Sequence, residues 1–331
     1  MRCCAVAYAA GCRGIGVRFL VSDGDSAAML VEQGFEAEVV GGDFRRLIVA
    51  DARPILDVVS SAAAYGVLVD SYAATDGFLA ELARACHERG VALAYIDDGF
   101  RFEGGCSSSP VRFPVDVVVN YGFAADSAAY ADAYAGTQTS LLIGPSFAPL
   151  RSGFRPSGYE AAAKVSSILV TTGSTNPDRI LERFASCCRK AVPDAEVHVV
   201  VGRSARFCAP YDERVVLHHS PRNMRTLMLA SDLVVSAAGT TLYELASLGL
   251  PTVAVPIIEN QSANISGWSR LGLGPCVSTI EWKDGELVSI ARHLALSKDE
   301  RMACSEKLIK TCDGDGALRI VDSICRCTGG R

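Results

Sequence analysis

The stretch from residue 222 to residue 261 constrains the fold of this chain more than any other. An apolar run at Leu233–Ser236 is followed by the small residues AAGTT and then by apolar residues at helical spacing. Gly249 and Pro251 end that helical pattern, and a second apolar run begins. Short apolar runs around a helical pattern, punctuated by Gly and Pro, are typical of a strand–helix–strand unit. The stretch therefore predicts one βαβ unit of a parallel sheet.

The turn of this unit, Ala237–Thr241, has a composition that suits an anion. Small residues let the backbone approach a ligand closely. Thr240 and Thr241 are residue types that start helices, and the free N–H groups and positive dipole end of a helix start attract a group such as pyrophosphate. The alternative is a βαβ unit that binds nothing, and the spacing alone does not decide between the two.

The same alternation of apolar runs and helical segments continues along the chain and predicts the fold class. Near-continuous apolar strands between helices are typical of a parallel sheet covered on both faces. Residues 144–164 are rich in Pro and Gly and indicate a connection between domains. We therefore predict an α/β protein with two Rossmann-like doubly wound domains, at residues 1–150 and 151–331. The other apolar runs lie at 17–22, 67–70, 93–96, 117–119, 168–171, 197–201 and 215–218.

Composition excludes several classes of function. The net charge of -5 comes without a local basic patch, which argues against nucleic-acid binding. The 13 cysteines lack the spacing of a zinc site, so we expect buried thiols in a reducing cytoplasm, with no metal and no cofactor. No apolar run approaches the roughly 18 residues of a membrane span, and the small residues before Cys12 are too few for a secretory signal and predict a helix. We expect a cytoplasmic monomer.

Candidate site residues follow the strands, because ligands of parallel α/β sheets bind beyond the carboxyl ends of the strands. Those ends carry Asp70, Tyr72 and the Asp97–Asp98 pair in the first half, and Gly173 in the second. An Asp at such a place is more often the cap of the next helix than a catalytic group. Tyr72 has two interpretations, orientation of a sugar hydroxyl or cover for the sheet edge.

Several motifs together resemble a known family, and the likeness extends over nearly the whole chain. The family is that of the PseG hydrolases, which cleave UDP-2,4-diacetamido-2,4,6-trideoxy-β-L-altropyranose in pseudaminic acid synthesis, with the related SpsG spore-coat polysaccharide proteins. The resemblance implies a GT-B-like pair of domains that binds a UDP-sugar and releases UDP and the free sugar without a metal. The motifs are MRC at 1–3, DSY at 70–72, DD at 97–98, LLIGPSFAPLRSGF at 141–154, TTGSTNP at 171–177, AAGTTLYE at 237–244 and ENQ at 259–261.

The resemblance also implies roles for individual residues. The diphosphate would lie at the AAGTT turn, and Glu244 would hold the ribose hydroxyls, as the matching glutamate does in MurG-like transferases. The alternative for Glu244 is a solvated helix face. Tyr72 and Asn260 are the predicted catalytic residues. The predicted substrate-binding residues are Asp70, Asp98, Gly173, Met224, Ala238, Gly239, Thr240, Thr241, Glu244 and Gln261.

The chain departs from the family at its start. In the family, a strand and a G-x-G-H-x turn precede the MRC motif, and the histidine of that turn is taken as the catalytic base. This chain begins at Met1, so the first strand of the N-terminal domain and that histidine are missing from it. We expect that the start codon was miscalled; the competing interpretation is a truncated, inactive protein. His218 and His219 lie in the nucleotide-binding half and are weak substitutes, and Ser174 stands where the family often has a second Gly.

Three functions remain open at this point. The first is hydrolysis of a UDP-linked diacetamido sugar, which the DSY and LLIGPSF…LRSGF motifs favour. The second is transfer of the sugar to an acceptor by a GT-B glycosyltransferase, because donor binding uses the same residues. The third is binding of a UDP-sugar without catalysis.

Overall fold

The structure, a computed structural model, forms two compact units. Unit 1 comprises residues 1–121, 125–151 and 315–331, and unit 2 comprises residues 122–124 and 152–314. The switch after residue 151 lies one residue from the predicted boundary, but the last segment does not stay with the second domain as predicted. The structure describes residues 2–43, 46–97, 100–101, 105–106, 110–173, 176–202, 205–208 and 212–329.

Unit 1 is built on parallel strands joined by helices. Its strands form a parallel pair, β1–β2, and a four-stranded parallel sheet in the order β3-β4-β7-β8. Strands β5 and β6 form a short antiparallel hairpin. The central strands β4 and β7 have the almost continuously apolar sequences ALAYI and VVVN and are buried along their length. The elements are α1 (Arg2–Cys12), β1 (Arg18–Val21), α2 (Gly24–Glu32), β2 (Glu36–Val39), α3 (Ala52–Ser61), β3 (Gly66–Val69), α4 (Asp76–His87), β4 (Ala92–Ile96), β5 (Phe100–Arg101), β6 (Gly105–Cys106), β7 (Val117–Asn120), α5 (Ser127–Ala133) and β8 (Ser140–Ile143).

Helices α2 and α4 of unit 1 start where short polar side chains cap them. The Asp23 carboxylate accepts the N–H of Ser26 at the start of α2, and the Thr75 hydroxyl accepts the N–H of Phe78 at the start of α4. Caps of this kind satisfy amide groups that the helix itself leaves unpaired. The cap of α4 is therefore Thr75, and not Asp70, which was one interpretation of that residue.

Unit 2 contains a single five-stranded parallel sheet in the order β11-β10-β9-β12-β13. The chain runs outward from β9 to β11 and then returns to place β12 on the other side of β9. The order therefore reverses between β9 and β12, which is where doubly wound folds form a ligand crevice. The elements are β9 (Ser167–Thr171), α6 (Ile180–Ala191), β10 (Glu196–Val201), β11 (Val215–His219), α7 (Met224–Leu229), β12 (Leu233–Ala237), α8 (Thr241–Leu248), β13 (Thr252–Val255), α9 (Ser262–Leu271), α10 (Asp284–Leu296) and α11 (Lys298–Thr311).

The core of unit 2 lies between one face of this sheet and helices α6 and α10. Alternate strand residues such as Ile168, Val199 and Val235 face Phe184 and Leu287 there. The strands are buried on both faces, as expected of a parallel sheet. The prediction of an α/β fold is confirmed, because every sheet of more than two strands among the described residues is parallel.

The final helix, α12 (Gly316–Gly329), returns to unit 1. It packs on α1 and on the face of the four-stranded sheet, with Ile320 and Val321 buried. A Cβ atom at Gly66 on β3 would lie 2.4 Å from Cγ2 of Ile324, so the absence of a side chain allows the close approach. The sequence placed this segment in the second domain, whereas the structure groups residues 315–331 with unit 1, because the apolar face of the helix packs on the first sheet.

The cysteines whose side chains the structure describes are free thiols. Cys4, Cys86, Cys188, Cys304 and Cys312 are among the buried ones, whereas Cys12 and Cys208 are exposed. Burial raises the pKa of the Cys86 thiol to about 11. Among the helices that the structure describes, none combines the length and the apolar character that crossing a membrane requires.

We predict that Gly267→Ala destabilises unit 2 by 2 kcal/mol or more, a rough figure for overpacking against backbone. A Cβ atom at position 267 of α9 would lie 2.2 Å from the carbonyl carbon of Phe123, which cannot move as a side-chain tip can. The matched control is Gly285→Ala in α10, where a Cβ atom meets nothing within 4 Å. That change should be neutral or stabilise the helix by up to about 1 kcal/mol.

Urea unfolding followed by tryptophan fluorescence measures this difference, because the two tryptophans of the chain, Trp268 and Trp282, both lie in unit 2. Equal urea midpoints for Gly267→Ala and Gly285→Ala would contradict the close packing of α9 on residue 123.

Candidate functional site

The turn between β12 and α8 presents a row of backbone N–H groups. The N–H of Ala238 still bonds to the carbonyl of Val255 at 2.9 Å, so the sheet continues to this residue. The N–H groups of Gly239, Thr240 and Thr241 come next, and the described part of the chain offers them no hydrogen-bond acceptor. Amides at a helix start that lack an internal acceptor are donors for an anion, and the helix dipole adds a positive partial charge there.

A second turn meets this one from the neighbouring strand. Thr171 ends β9, and its hydroxyl accepts the N–H of Gly173 at 3.2 Å. Gly173 has φ +80°, which an L side chain rarely adopts, and a Cβ atom there would lie 4.0 Å from Oγ1 of Thr241. The two turns that the sequence indicated therefore lie side by side at the point where the strand order reverses. Ser174 and Thr175 of the TTGSTNP motif lie outside the described residues.

A short 3₁₀ turn precedes the start of α6. Pro177 opens a 3₁₀ turn, and α6 itself begins at Ile180. The Asn176 side chain accepts the N–H of Leu181 at 2.8 Å and donates to Glu182 at 3.1 Å. Asn176 thus caps this helix from a greater distance along the chain than an ordinary N-cap residue.

Two residues of the ENQ motif lie close to the first turn but differ in exposure. Gln261 is buried, and its Oε1 accepts the N–H of Ile257 at 3.0 Å. Its Nε2 lies 3.7 Å from the position of a Cβ atom at Gly239. The structure therefore brings Gln261 to the N–H row, whereas Asn260 is exposed in the same 3₁₀ turn after β13.

Glu244 and Met224 lie at the same edge of the sheet as the N–H row. Glu244 is partly exposed in the first turn of α8, three residues after Thr241 and so on the same helix face. Met224 begins α7 after the edge strand β11, where the Asn223 side chain caps the helix. Because β11 is the third strand from β12, Met224 follows a strand roughly 14 Å from the N–H row at a spacing of about 4.8 Å per strand.

In unit 1, the carboxyl edge of the sheet is occupied by an ion pair. Arg2 at the start of α1 donates to both oxygens of Asp70, from Nε to Oδ2 at 2.8 Å and from Nη2 to Oδ1 at 2.5 Å. The Cys3 thiol also donates to Oδ2 at 3.1 Å, and Arg2 Nη1 donates to the Tyr121 hydroxyl at 2.7 Å. Burial alone would raise the pKa of Asp70, but the hydrogen bonds and charge of Arg2 outweigh it and hold the pKa below its usual value.

This pair was not recognised from the sequence, although both partners belong to motifs that were. Asp70 was predicted to contact substrate, and the structure shows both of its oxygens engaged by side chains of α1. Tyr72 is 41% exposed, with its ring centroid 5.7 Å from the Arg2 guanidinium carbon. The sequence offered one signal for this ion pair, the arginine of the MRC motif, because arginine forms bidentate pairs with carboxylates.

Of the two aspartates in the DD motif, the structure describes Asp97. Asp97 is buried after β4, and its Oδ2 accepts the Tyr130 hydroxyl at 2.6 Å. Tyr130 in turn accepts an N–H of the Asn120 side chain at 2.9 Å, and burial together with Asp97 raises the Tyr130 pKa. Asp98 lies outside the described residues. Asp97 is thus part of a buried polar network at the same edge as Asp70.

Four of the five histidines have side-chain partners within the described fold. His198 Nδ1 and His218 Nε2 lie 3.0 Å apart between β10 and β11, and burial, with His198 as a second cause, lowers the His218 pKa. His87 pairs with Asp116 at 2.9 Å, and His293 pairs with Glu300 at 3.0 Å. These contacts give the four side chains structural roles within the fold.

Comparison with known protein families finds a match to part of this chain. Residues 167–312 match the glycosyltransferase family 28 C-terminal domain. The match spans all strands of the unit 2 sheet and the helices from α6 to α11, and it includes every predicted site residue from Gly173 to Gln261.

Two curated relatives carry the same name, "UDP-N-acetylglucosamine--N-acetylmuramyl-(pentapeptide) pyrophosphoryl-undecaprenol N-acetylglucosamine transferase". One is from Clavibacter sepedonicus and the other from Clavibacter michiganensis subsp. michiganensis, and each is 29% identical over 164 residues. The matched segment covers 48% of this chain and 44% of each relative, so it spans less than half of their length.

Solved structures show that the similarity in fold covers nearly the whole chain. MurG from Acinetobacter baumannii has a TM-score of 0.68 at 14% identity, covering 98% of this chain and 95% of that one. UGT89C1 from Arabidopsis thaliana has a TM-score of 0.65 at 12% identity, covering 98% and 96%. A protein from Listeria monocytogenes described as a putative UDP-N-acetylglucosamine 2-epimerase has a TM-score of 0.58 at 14% identity, covering 96% and 98%. The fold is that of the GT-B glycosyltransferases, with two Rossmann-like domains, as predicted.

We predict that Arg2→Ala destabilises unit 1 by about 3 kcal/mol, because it leaves the largely buried Asp70 carboxylate without its partner. The control is Arg53→Ala, whose pair with Asp57 has both side chains more than two-thirds exposed. That variant should lose less than about 1 kcal/mol. The measurement is urea unfolding by far-UV circular dichroism, with tryptophan fluorescence reporting unit 2 separately.

The sign of the pH dependence follows from the lowered pKa of Asp70 in the folded chain. The pair contributes fully to the free energy of unfolding above the unfolded carboxyl pKa of about 3.9. This contribution is lost as the pH falls through the lower pKa of Asp70 in the folded chain. The difference between wild type and Arg2→Ala should therefore shrink in acid; a difference that grew in acid would contradict the pairing.

Proposed function

We propose that unit 2 binds a UDP-sugar at the reversal between β9 and β12, and that the protein transfers the sugar to an acceptor. One observation carries the proposal: two adjacent turns, at Gly173 and at Gly239–Thr241, present backbone to one place, and the three N–H groups of the second turn have no acceptor among the described residues. The segment that contains both turns matches the glycosyltransferase family 28 C-terminal domain.

The chemistry that this arrangement supports is departure of UDP from a sugar. A nucleophile attacks the anomeric carbon, the bond from that carbon to the β-phosphate oxygen breaks, and its electron pair stays on the phosphate. Developing negative charge is best stabilised by donors that are already oriented, and one such donor contributes roughly 3 kcal/mol in enzymes where it has been removed. The N–H groups of Gly239, Thr240 and Thr241 are donors of this kind.

The remaining predicted residues take roles around that centre. Glu244, on the same helix face as Thr241, would accept hydrogen bonds from the ribose hydroxyls. Met224 would contact the base, and Gln261, whose Nε2 lies near Gly239, would contact the sugar together with Asn260. Gly173 and Ala238 would let the diphosphate approach the backbone closely.

Transfer has more support than the hydrolysis that the sequence motifs favoured. The family match is to a glycosyltransferase domain, and the two curated relatives are named as N-acetylglucosamine transferases. The fold itself does not choose, since a putative epimerase shares it. Hydrolysis of a UDP-linked diacetamido sugar, with Tyr72, Asp70 and Asp98 on the water side, rests on the DSY and LLIGPSF…LRSGF motifs alone.

An assay of UDP release separates these functions. We would incubate the protein with UDP-N-acetylglucosamine, and with a UDP-diacetamido-trideoxy sugar, each with and without N-acetylmuramyl-pentapeptide pyrophosphoryl-undecaprenol. Release only with the acceptor supports transfer, and release in water alone supports hydrolysis. Calorimetric binding of UDP without release in either case indicates a binding protein, and no binding of UDP at all contradicts the proposal.

We predict that Glu244→Ala weakens UDP binding about tenfold, because hydrogen bonds to a charged group contribute about 1.5–3 kcal/mol each. The matched control is Glu306→Ala, an exposed glutamate of α11 that should leave the affinity unchanged. Calorimetry with UDP measures both variants. Equal affinities in the two would remove Glu244 from the binding site and favour the solvated helix face.

A further inference from the structure

Asn264, in the first turn of α9, is bonded to the turn that carries the N–H row. Its Nδ2 donates to the carbonyl oxygen of Ala238 at 2.9 Å. Its Oδ1 accepts the hydroxyl of Tyr243 at 3.3 Å, and that hydroxyl accepts the N–H of Phe123 at 3.3 Å. The Tyr243 ring is buried and stacks on Phe123 at 4.2 Å. The Asn264 amide is therefore held in one orientation by its own partners.

The bond to Ala238 has a consequence for Gly239. The carbonyl of Ala238 and the N–H of Gly239 belong to one planar trans peptide, so they point in opposite directions; the described residues contain no cis peptide bond. Holding the carbonyl toward Asn264 therefore directs the N–H of Gly239 away from it. The N–H of Ala238 is held separately, by Val255 on the next strand.

Rotation of this peptide plane would meet little resistance without Asn264. Glycine at 239 adopts both signs of φ readily because it has no Cβ atom. The nearest atom to a Cβ position there is Nε2 of Gln261 at 3.7 Å, so no tight packing fixes the residue. The hydrogen bond from Asn264 is thus the contact in the described structure that selects one orientation of the plane.

We propose that Asn264 is a positioning residue that locks the peptide plane between Ala238 and Gly239, and so keeps the N–H of Gly239 directed at the diphosphate. The inference rests on the proposed UDP site, and it adds a residue to which neither the motifs nor the family match assigns a role.

The test uses two variants and one control in the full chain. Asn264→Ala removes the donor. Asn264→Asp keeps the shape and the acceptor for Tyr243, but an ionised carboxylate cannot donate to Ala238. The control is Tyr159→Phe, which removes a hydroxyl bond to the Asp232 carbonyl at 2.9 Å, at the opposite end of β12.

The first measurement is crystallographic and needs no ligand. In Asn264→Ala and Asn264→Asp crystals, we expect the peptide plane between residues 238 and 239 to flip or to occupy two orientations, while Tyr159→Phe retains one. A single unchanged orientation in both Asn264 variants would overturn the inference. The Asp variant answers the question if the Ala variant does not fold.

The second measurement is calorimetry with UDP and with uridine. We expect both Asn264 variants to bind UDP about tenfold more weakly, on the scale of one hydrogen bond to a charged group, and to bind uridine within twofold of wild type. Substituting a residue with a merely structural role would lower the affinity for both ligands alike. Tyr159→Phe should change neither affinity. A flipped plane with unchanged UDP affinity would also overturn the inference.

The two measurements separate this inference from the proposed function. If wild type binds no UDP, the proposed site fails, and the role of Asn264 toward a diphosphate fails with it. The crystals then still decide whether Asn264 holds the plane. If wild type binds UDP and both Asn264 variants match it, only the inference fails.

Discussion

The parallel pairing of β9 with β12 is the contact on which the candidate site depends. Their register places Thr171 opposite Ser236, so the two strands end at nearly the same level. Each strand is followed by a turn that leads into a helical segment, and the turns therefore meet. Neither turn alone distinguishes a ligand site from an ordinary βα connection. Their meeting at a reversal of strand order gives a place where backbone donors converge.

Several polar side chains at the predicted sites hydrogen-bond to other groups of the protein. Gln261 accepts the N–H of Ile257, and Asn264 donates to Ala238. In unit 1, Arg2 occupies both oxygens of Asp70, and Tyr130 occupies an oxygen of Asp97. Buried polar groups must find hydrogen-bond partners inside the protein. Polar residues that follow strands are therefore often engaged with one another, and their roles cannot be assigned from residue type alone.

Sequence reasoning left out contacts between distant segments for a common physical reason. Helix α12 belongs to unit 1, whereas the predicted boundary kept residues 151–331 together. An amphipathic pattern specifies that one face is buried and does not specify which sheet buries it. Asn264 was missed for a similar reason, because its partner, the carbonyl of Ala238, belongs to a distant turn and has no signature in the sequence.

The sequence by itself determined the local structure of this protein. Apolar runs such as 168–171 and 233–236 form buried strands, and glycine with threonine forms the turn at Gly239, because period, propensity and backbone freedom act over a few residues. Tertiary structure alone decided the neighbours: which strands pair, that Gly173 meets Thr241, and that Arg2 meets Asp70. Such contacts join residues far apart in the chain, and burial of the whole core selects them.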